Sequence, residues 1–141
     1  MRWTFPPLVW RALLFVWMTT IFILSAQSSL PTQSLFEGQD KLEHLLAYGL
    51  LGVLLSRSLR PMKVETWQRI VLITALTTLY GISDEYHQSF VPGRDVSALD
   101  VLADGVGGFL AAQMLFWWDR SRGQIPQFLR SPSREESRGK A

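Results

Sequence analysis

The chain has 141 residues, 48% of them hydrophobic, with six tryptophans, eight phenylalanines and a formal charge of +2. This length fits one domain, and the lack of any cysteine excludes disulfides, thiolate metal sites and cysteine nucleophiles. The basic residues lack the clustered aromatic or groove-reading setting that nucleic-acid binding needs, so nucleic acid is excluded as a partner.

The first apolar run, Leu8 to Ala26, has bilayer-spanning length, follows Arg2 and carries Arg11 near its start. It reads as a retained helix. A cleaved signal peptide is the alternative, against which stand the length of the run and the want of a clean A-x-A site. The linker from Gln27 to Gln39 is rich in Ser, Gln and Pro and has no Lys or Arg. The second run, Leu42 to Leu59, opens with Asp40, Lys41, Glu43 and His44, and Asp40, His44 and Tyr48 share one helix face at i, i+4 and i+8. Arg57, Arg60, Lys63 and Arg69 then bracket a turn at Pro61. The third run starts at Ile70, is apolar to Leu79 and continues through YGISDEYHQSFV to a turn at Pro92 and Gly93. The fourth extends from about Ala98 to Trp118, where Trp117 and Trp118 form an interfacial pair. From Asp119 onward the chain is polar and aperiodic, so residues 1–118 are expected to form the domain and 119–141 a disordered cytoplasmic tail.

The fold class expected is all-α: an integral membrane bundle of four transmembrane helices with the lipid bilayer as its surroundings. If the helices alternate in direction, Arg2, Arg11, Arg57, Arg60, Lys63, Arg69 and the basic residues of the tail lie on one side, leaving Lys41 and Arg94 on the other. The positive-inside rule then puts both termini in the cytoplasm of a bacterial inner membrane. The polar start of helix two, the end of helix three, the hairpin and the start of helix four converge on one extracytoplasmic layer. With helix three ending near Val91, Asp84 is expected about 10 Å below that end.

The stretch Gly81 to Gly108 concentrates the chemistry, because it sets Asp84, Glu85, His87, Gln88, Arg94, Asp95, Asp100 and Asp104 between two apolar runs. Ionisable groups at mid-membrane cost roughly 2.5 to 3.5 kcal/mol each on insertion scales and mark functional sites by default. Tyr80, Asp84 and either His87 or Gln88 share a face of helix three, and Asp100, Asp104 and Gly107 or Gly108 a face of helix four. Gly105, Gly108, Ala111 and Ala112 allow a close helix approach that brings Asp100 and Asp104 toward Asp84 and His44. Arg94 is the natural counter-ion of Asp84 and Glu85. Those two carboxylates are acid and base candidates, or else an ion pair or helix cap near the membrane boundary. Asp95 and Glu37 read as solvated loop charges. His44, Asp84, Glu85, Asp100 and Asp104 would suit Mg, Mn or Zn, although no established ligand spacing is present and the cofactor stays open. The spacing Arg94-x5-Asp100-x3-Asp104 echoes the Arg-x5-His-x3-Asp element of membrane lipid phosphatases. An Asp in place of the nucleophilic His removes a phosphohistidine route.

Taken in order, Ser25-Ala-Gln27, Asp40-Lys41-x-x-His44-x-x-x-Tyr48, Asp84-Glu85-x-x-Gln88-x-Phe90-x-Pro92-x-Arg94 and Asp100-x-x-x-Asp104-x-x-Gly107 resemble the VanZ-like family of small bacterial membrane proteins, over most of Met1 to Trp118. Where many relatives carry Asn in the helix-four motif, this chain has Asp104. The resemblance implies an all-α membrane domain and marks His44, Asp84, Glu85, Gln88, Arg94 and Asp100 as the characteristic polar positions. It also implies a link to resistance against the lipophilic glycopeptide antibiotic teicoplanin.

The expectation is therefore a cell-envelope protein with an outward-facing polar pocket for an anionic, lipid-linked envelope precursor. His44, Asp84, Glu85 and Asp100 are the catalytic candidates, with His44 as proton shuttle. Arg94, Gln88, Lys41, Tyr48 and Asp104 are the substrate-binding candidates, with Arg94 on a phosphate or carboxylate. The alternatives are a non-enzymatic accessory protein with a structural charge cluster, and a small transporter subunit. Against the transporter, Val71 to Leu79 and Gly49 to Leu55 carry no charge that would extend a polar path inward, and Thr74, Thr77 and Thr78 are weak candidates. The oligomeric state is left open.

Overall fold

A computed structural model describes residues 5–28, 36–60 and 65–121. Those residues form four helices and no strand: α1 (Pro7–Ser25), α2 (Gln39–Ser58), α3 (Thr66–Gln88) and α4 (Ala98–Ser121). Two of them, α1 and α4, are long and apolar enough to cross a membrane. The other two have the length, at 20 and 23 residues, but their polar ends keep them below that apolarity.

Large apolar side chains cover much of the outside, and part of the interior is polar. Phe15, Leu46, Leu79, Leu102, Phe109 and Met114 point outward, while Asp104 and Thr77 are fully enclosed. Threonine hydroxyls on the outer face of α1 and along α3 bond to their own helices. Thr19 and Thr20 donate to the carbonyls of Phe15 and Val16, and Thr74, Thr77 and Thr78 likewise donate to carbonyls of their own helix. The three α3 threonines therefore close on their own backbone and build no polar path along the bundle.

The core of the fold is the seam where α4 packs against α2 and α3. A Cβ on Gly107 would run into the carbonyl oxygen of Leu45 and come within 2.9 Å of the Gly49 nitrogen, so only glycine permits this α2–α4 spacing. A Cβ on Gly81 of α3 would likewise strike the Asp104 carboxylate. By contrast α1 lies at the edge and buries only Ile21 and Ser25. Two long bonds tie it in: Trp17 donates its indole N–H to the Ala47 carbonyl at 2.9 Å, and Tyr80 its hydroxyl to the Met18 carbonyl at 2.7 Å. α1 is thus bonded into the bundle.

Three boundaries differ from the sequence expectation. α3 begins at Thr66 rather than Ile70, because Glu65 and Gln68 close a capping box that lets the polar first turn form. It also stops at Gln88 rather than near Val91, so Asp84 lies about 6 Å from the helix end, not 10. α4 continues through Ser121, with Asp119 held by Arg57 at 3.2 Å, so the first three residues assigned to the tail are helical. The remainder of that tail, Arg2 and the turn at Pro61 lie outside the described residues. The Pro92–Gly93 turn is present, with Gly93 at a φ of 83° and the Arg94 N–H donating to the Val91 carbonyl.

Candidate functional site

The starts of α2 and α4 and the end of α3 meet at one end of the bundle. Helix N-termini carry partial positive charge, so this end favours carboxylates, and Asp40 and Asp100 sit in the first turns of α2 and α4. Ser97 supplies the junction between α3 and α4. Its hydroxyl accepts the Leu99 N–H at 3.2 Å as an N-cap, while its own N–H donates to Glu85 Oε2 at 2.8 Å.

The buried members form linked pairs. His44 Nδ1 lies 3.0 Å from Asp104 Oδ1, and Asp104 is fully enclosed. His44 also stacks on Tyr48, ring planes 5° apart and centroids at 6.0 Å. On α3, Gln88 donates its amide to Asp84 Oδ2 at 3.0 Å. Lys41 bridges two carboxylates, Asp40 at 2.5 Å and Asp100 at 2.9 Å. At the helix entrance, outside the apolar run, the Lys41 ammonium holds the Asp40 carboxyl below its usual range, and the bonds to Asp40 and then Asp100 push Lys41 above its own. Of the expected convergence, Asp104 meets His44 directly and a carboxylate oxygen of Asp100 lies within 4.8 Å of a His44 ring nitrogen, while Asp84 bonds Gln88 of its own helix.

One assignment is corrected. Arg94 is not the counter-ion of Asp84 or Glu85. Its Nε and Nη2 donate to the carbonyls of Gln27 and Leu24 at 3.1 and 3.0 Å, at the negative end of the α1 dipole. The spacing that echoes lipid phosphatases does not form one group either, since Arg94 turns to α1, Asp100 to Lys41 and Asp104 to His44. His87, the other imidazole, stacks on Phe22 of α1 at 4.4 Å, away from the α2–α4 pairs.

Beside these pairs opens a cavity of about 150 Å³. Its apolar wall includes Ile21 and Leu24 of α1 with Ala47; its polar wall includes His44, Tyr48, Asp84, Gln88 and Arg94. Asp40 and Glu43 reach the rim, and Ser25 closes the α1 side. The contribution of α1 is what the sequence reading missed. Its traces are the Ser25-Ala-Gln27 segment, quoted in the resemblance without a role, and the i, i+3, i+4 spacing of Ile21, Leu24 and Ser25, indistinguishable from a lipid-facing stripe before the partner helices are placed. Glu85, Asp100 and Asp104 do not line the cavity but stand behind it.

A helical bundle with apolar exterior, glycine-packed helices and a half-polar, half-apolar cavity at one end defines the class: an all-α protein with helices suited to a membrane. Comparison with known families narrows it, because the VanZ/LLP1 family model matches residues 9–119. The chain belongs to the VanZ/LLP1 family. No curated protein and no solved structure matches it.

Proposed function

We propose that this protein is a multi-pass protein of the bacterial cytoplasmic membrane, with four spans and both termini inside. In this reading its cavity faces outward and binds the polar head of a lipid-linked cell-envelope molecule. The observation that carries this reading is the division of the cavity wall. An acyl or prenyl chain fits against Ile21, Leu24 and Ala47, and a hydrogen-bonding head against His44, Asp84, Gln88 and Arg94. Arg94 retains N–H groups beyond the two that hold α1, so it can still meet a phosphate or carboxylate of the head. The Asp104-braced imidazole of His44 suits proton transfer to or from that head, with Asp84 as the second group in reach of the cavity. The basic residues at the opposite end of α2, Arg57 and Arg60, are what orient the bundle under the positive-inside rule.

The test is teicoplanin susceptibility of a deletion strain whose envelope admits the drug, complemented with wild type, Asp84→Asn, His44→Gln or Arg57→Gln, with membrane abundance measured in parallel. Wild type and Arg57→Gln restore resistance, whereas Asp84→Asn and His44→Gln do not, at equal abundance. Full resistance with Asp84→Asn and His44→Gln would remove the cavity from the function. No resistance from wild type would detach the protein from the drug.

A further inference from the structure

Among the described residues, the buried carboxylates at this end of the bundle outnumber the cations that face them. Asp84, Glu85, Asp100 and Asp104 are each at most 5% exposed. Facing them from α2 are Lys41, already shared with Asp40, and His44. Arg94 is turned to backbone carbonyls. Buried carboxylates in such excess are neutralised by protons or by a further positive charge, and the positions of their oxygens favour the second.

Geometry points to where it belongs. His44, Glu85 and Asp100 each offer a ligand atom, and the three atoms lie within 4.8 Å of one another. Glu85 is 4% exposed, and its Oε1 has no hydrogen-bond partner among the described residues, because Ser97 takes only Oε2. Asp100 Oδ1 has only the ion pair with Lys41, and that ammonium has Asp40 as a second seat if it lets go. Asp104 lies 3.0 Å from His44 Nδ1, as carboxylates brace imidazoles that ligate metals, and a proton shared there would leave Nε2 for a ligand bond. Bonds of about 2.0 to 2.2 Å need ligand atoms within roughly 4.4 Å of one another, a few tenths of an ångström of side-chain movement from here.

We propose that His44, Glu85 and Asp100 form a binding site for one divalent first-row transition cation, of the manganese or zinc kind, with Asp104 as the group that positions the imidazole. One nitrogen and two carboxylates are the donor set that these ions accept, and three helices supply one donor each. The site stands independently of what enters the cavity. If the cavity reading holds as well, the cation turns a net acidic wall into one that attracts an anionic head, since a bound cation is the largest local charge in such a site.

The experiment uses the full chain in detergent micelles, stripped with EDTA, dialysed and titrated with Mn²⁺ followed by electron paramagnetic resonance, with Zn²⁺ retention measured by elemental analysis. One equivalent is expected. Glu85→Gln and Asp100→Asn each weaken it at least tenfold, and Asp95→Asn, on the exposed hairpin, leaves it unchanged. Pulsed measurements on bound Mn²⁺ are expected to show coupling to an imidazole nitrogen that His44→Gln removes and His87→Gln keeps. If neither ion is held at one equivalent by wild type, or binding is indifferent to Glu85→Gln and Asp100→Asn, the site is refuted. Should the charge variants fail to fold, wild type and His87→Gln decide alone: stoichiometric metal with nitrogen coupling supports the site, and its absence overturns it. Because the readout is the metal itself, it fails or succeeds apart from the teicoplanin experiment.

Discussion

The two ends of the α2–α4 pair use the same chemistry to different effect. At one end a single cation meets a single anion, Arg57 and Asp119 at 3.2 Å, each side chain about one-fifth exposed. At the other, four buried carboxylates face one lysine and one histidine among the described residues, and three carboxylate oxygens, on Glu85, Asp100 and Asp104, have no hydrogen-bond partner there, that of Asp100 being ion-paired with Lys41. A balanced bridge near water needs nothing more, and typically contributes about 0 to 1 kcal/mol. An unbalanced, enclosed group is costly to keep for structure alone, because a structural role would be served as well by fewer charges. The contrast is between a balanced fastening and a cluster left with excess negative charge.

The seam beneath both ends is the strongest lever on this comparison. Gly107→Val drives a side chain into the Leu45 carbonyl and should destabilise by about 3 kcal/mol or more, losing both ends together. Thermal unfolding in detergent, followed by tryptophan fluorescence, reads this directly. Asp104→Asn acts at the polar end alone. Weakening the bond between the enclosed Asp104 carboxylate and the half-buried imidazole of His44 should cost about 2 kcal/mol in the same assay. Ser97→Ala removes the N-cap of α4 while keeping the N–H that serves Glu85, so a loss of about 1 kcal/mol is expected with metal binding retained. Arg57→Gln should change stability by less than about 1 kcal/mol, and raising salt should shrink even that. Equal losses from Arg57→Gln and Asp104→Asn would erase the distinction between the two ends.

What the sequence made legible follows the reach of its signals. The helices were readable because apolar runs and turn residues are local, and His44, Tyr48, Asp84 and Gln88 were readable as faces because i, i+4 spacing is local too. Arg94 was misplaced for a physical reason: charge sign nominates a carboxylate partner, but the acceptors are main-chain carbonyls of Leu24 and Gln27, which every residue carries. The α3 start was set too late because Thr66 to Arg69 are polar, and a capping box outweighs their low hydropathy. The end of α4 was set too early because Asp119 looks like the first residue of a polar tail until Arg57 is placed opposite it. The division of the cavity wall needed tertiary structure, since the apolar half comes from a helix at the edge of the bundle.

The partnership of His44 with Asp104 also sets a schedule. Sixty residues separate them, which at ~5–20 residues per second takes about 3–12 s to synthesise. During that interval α2 has left the ribosome with an imidazole whose carboxylate has not yet been made. In a membrane, the polar start of α2 must wait at the lipid–water boundary or in the care of the insertion machinery. Only when α4 arrives can the glycine seam close, so the packing of α2 in this bundle waits for α4, and a chain cut short before α4 would leave α2 unable to settle.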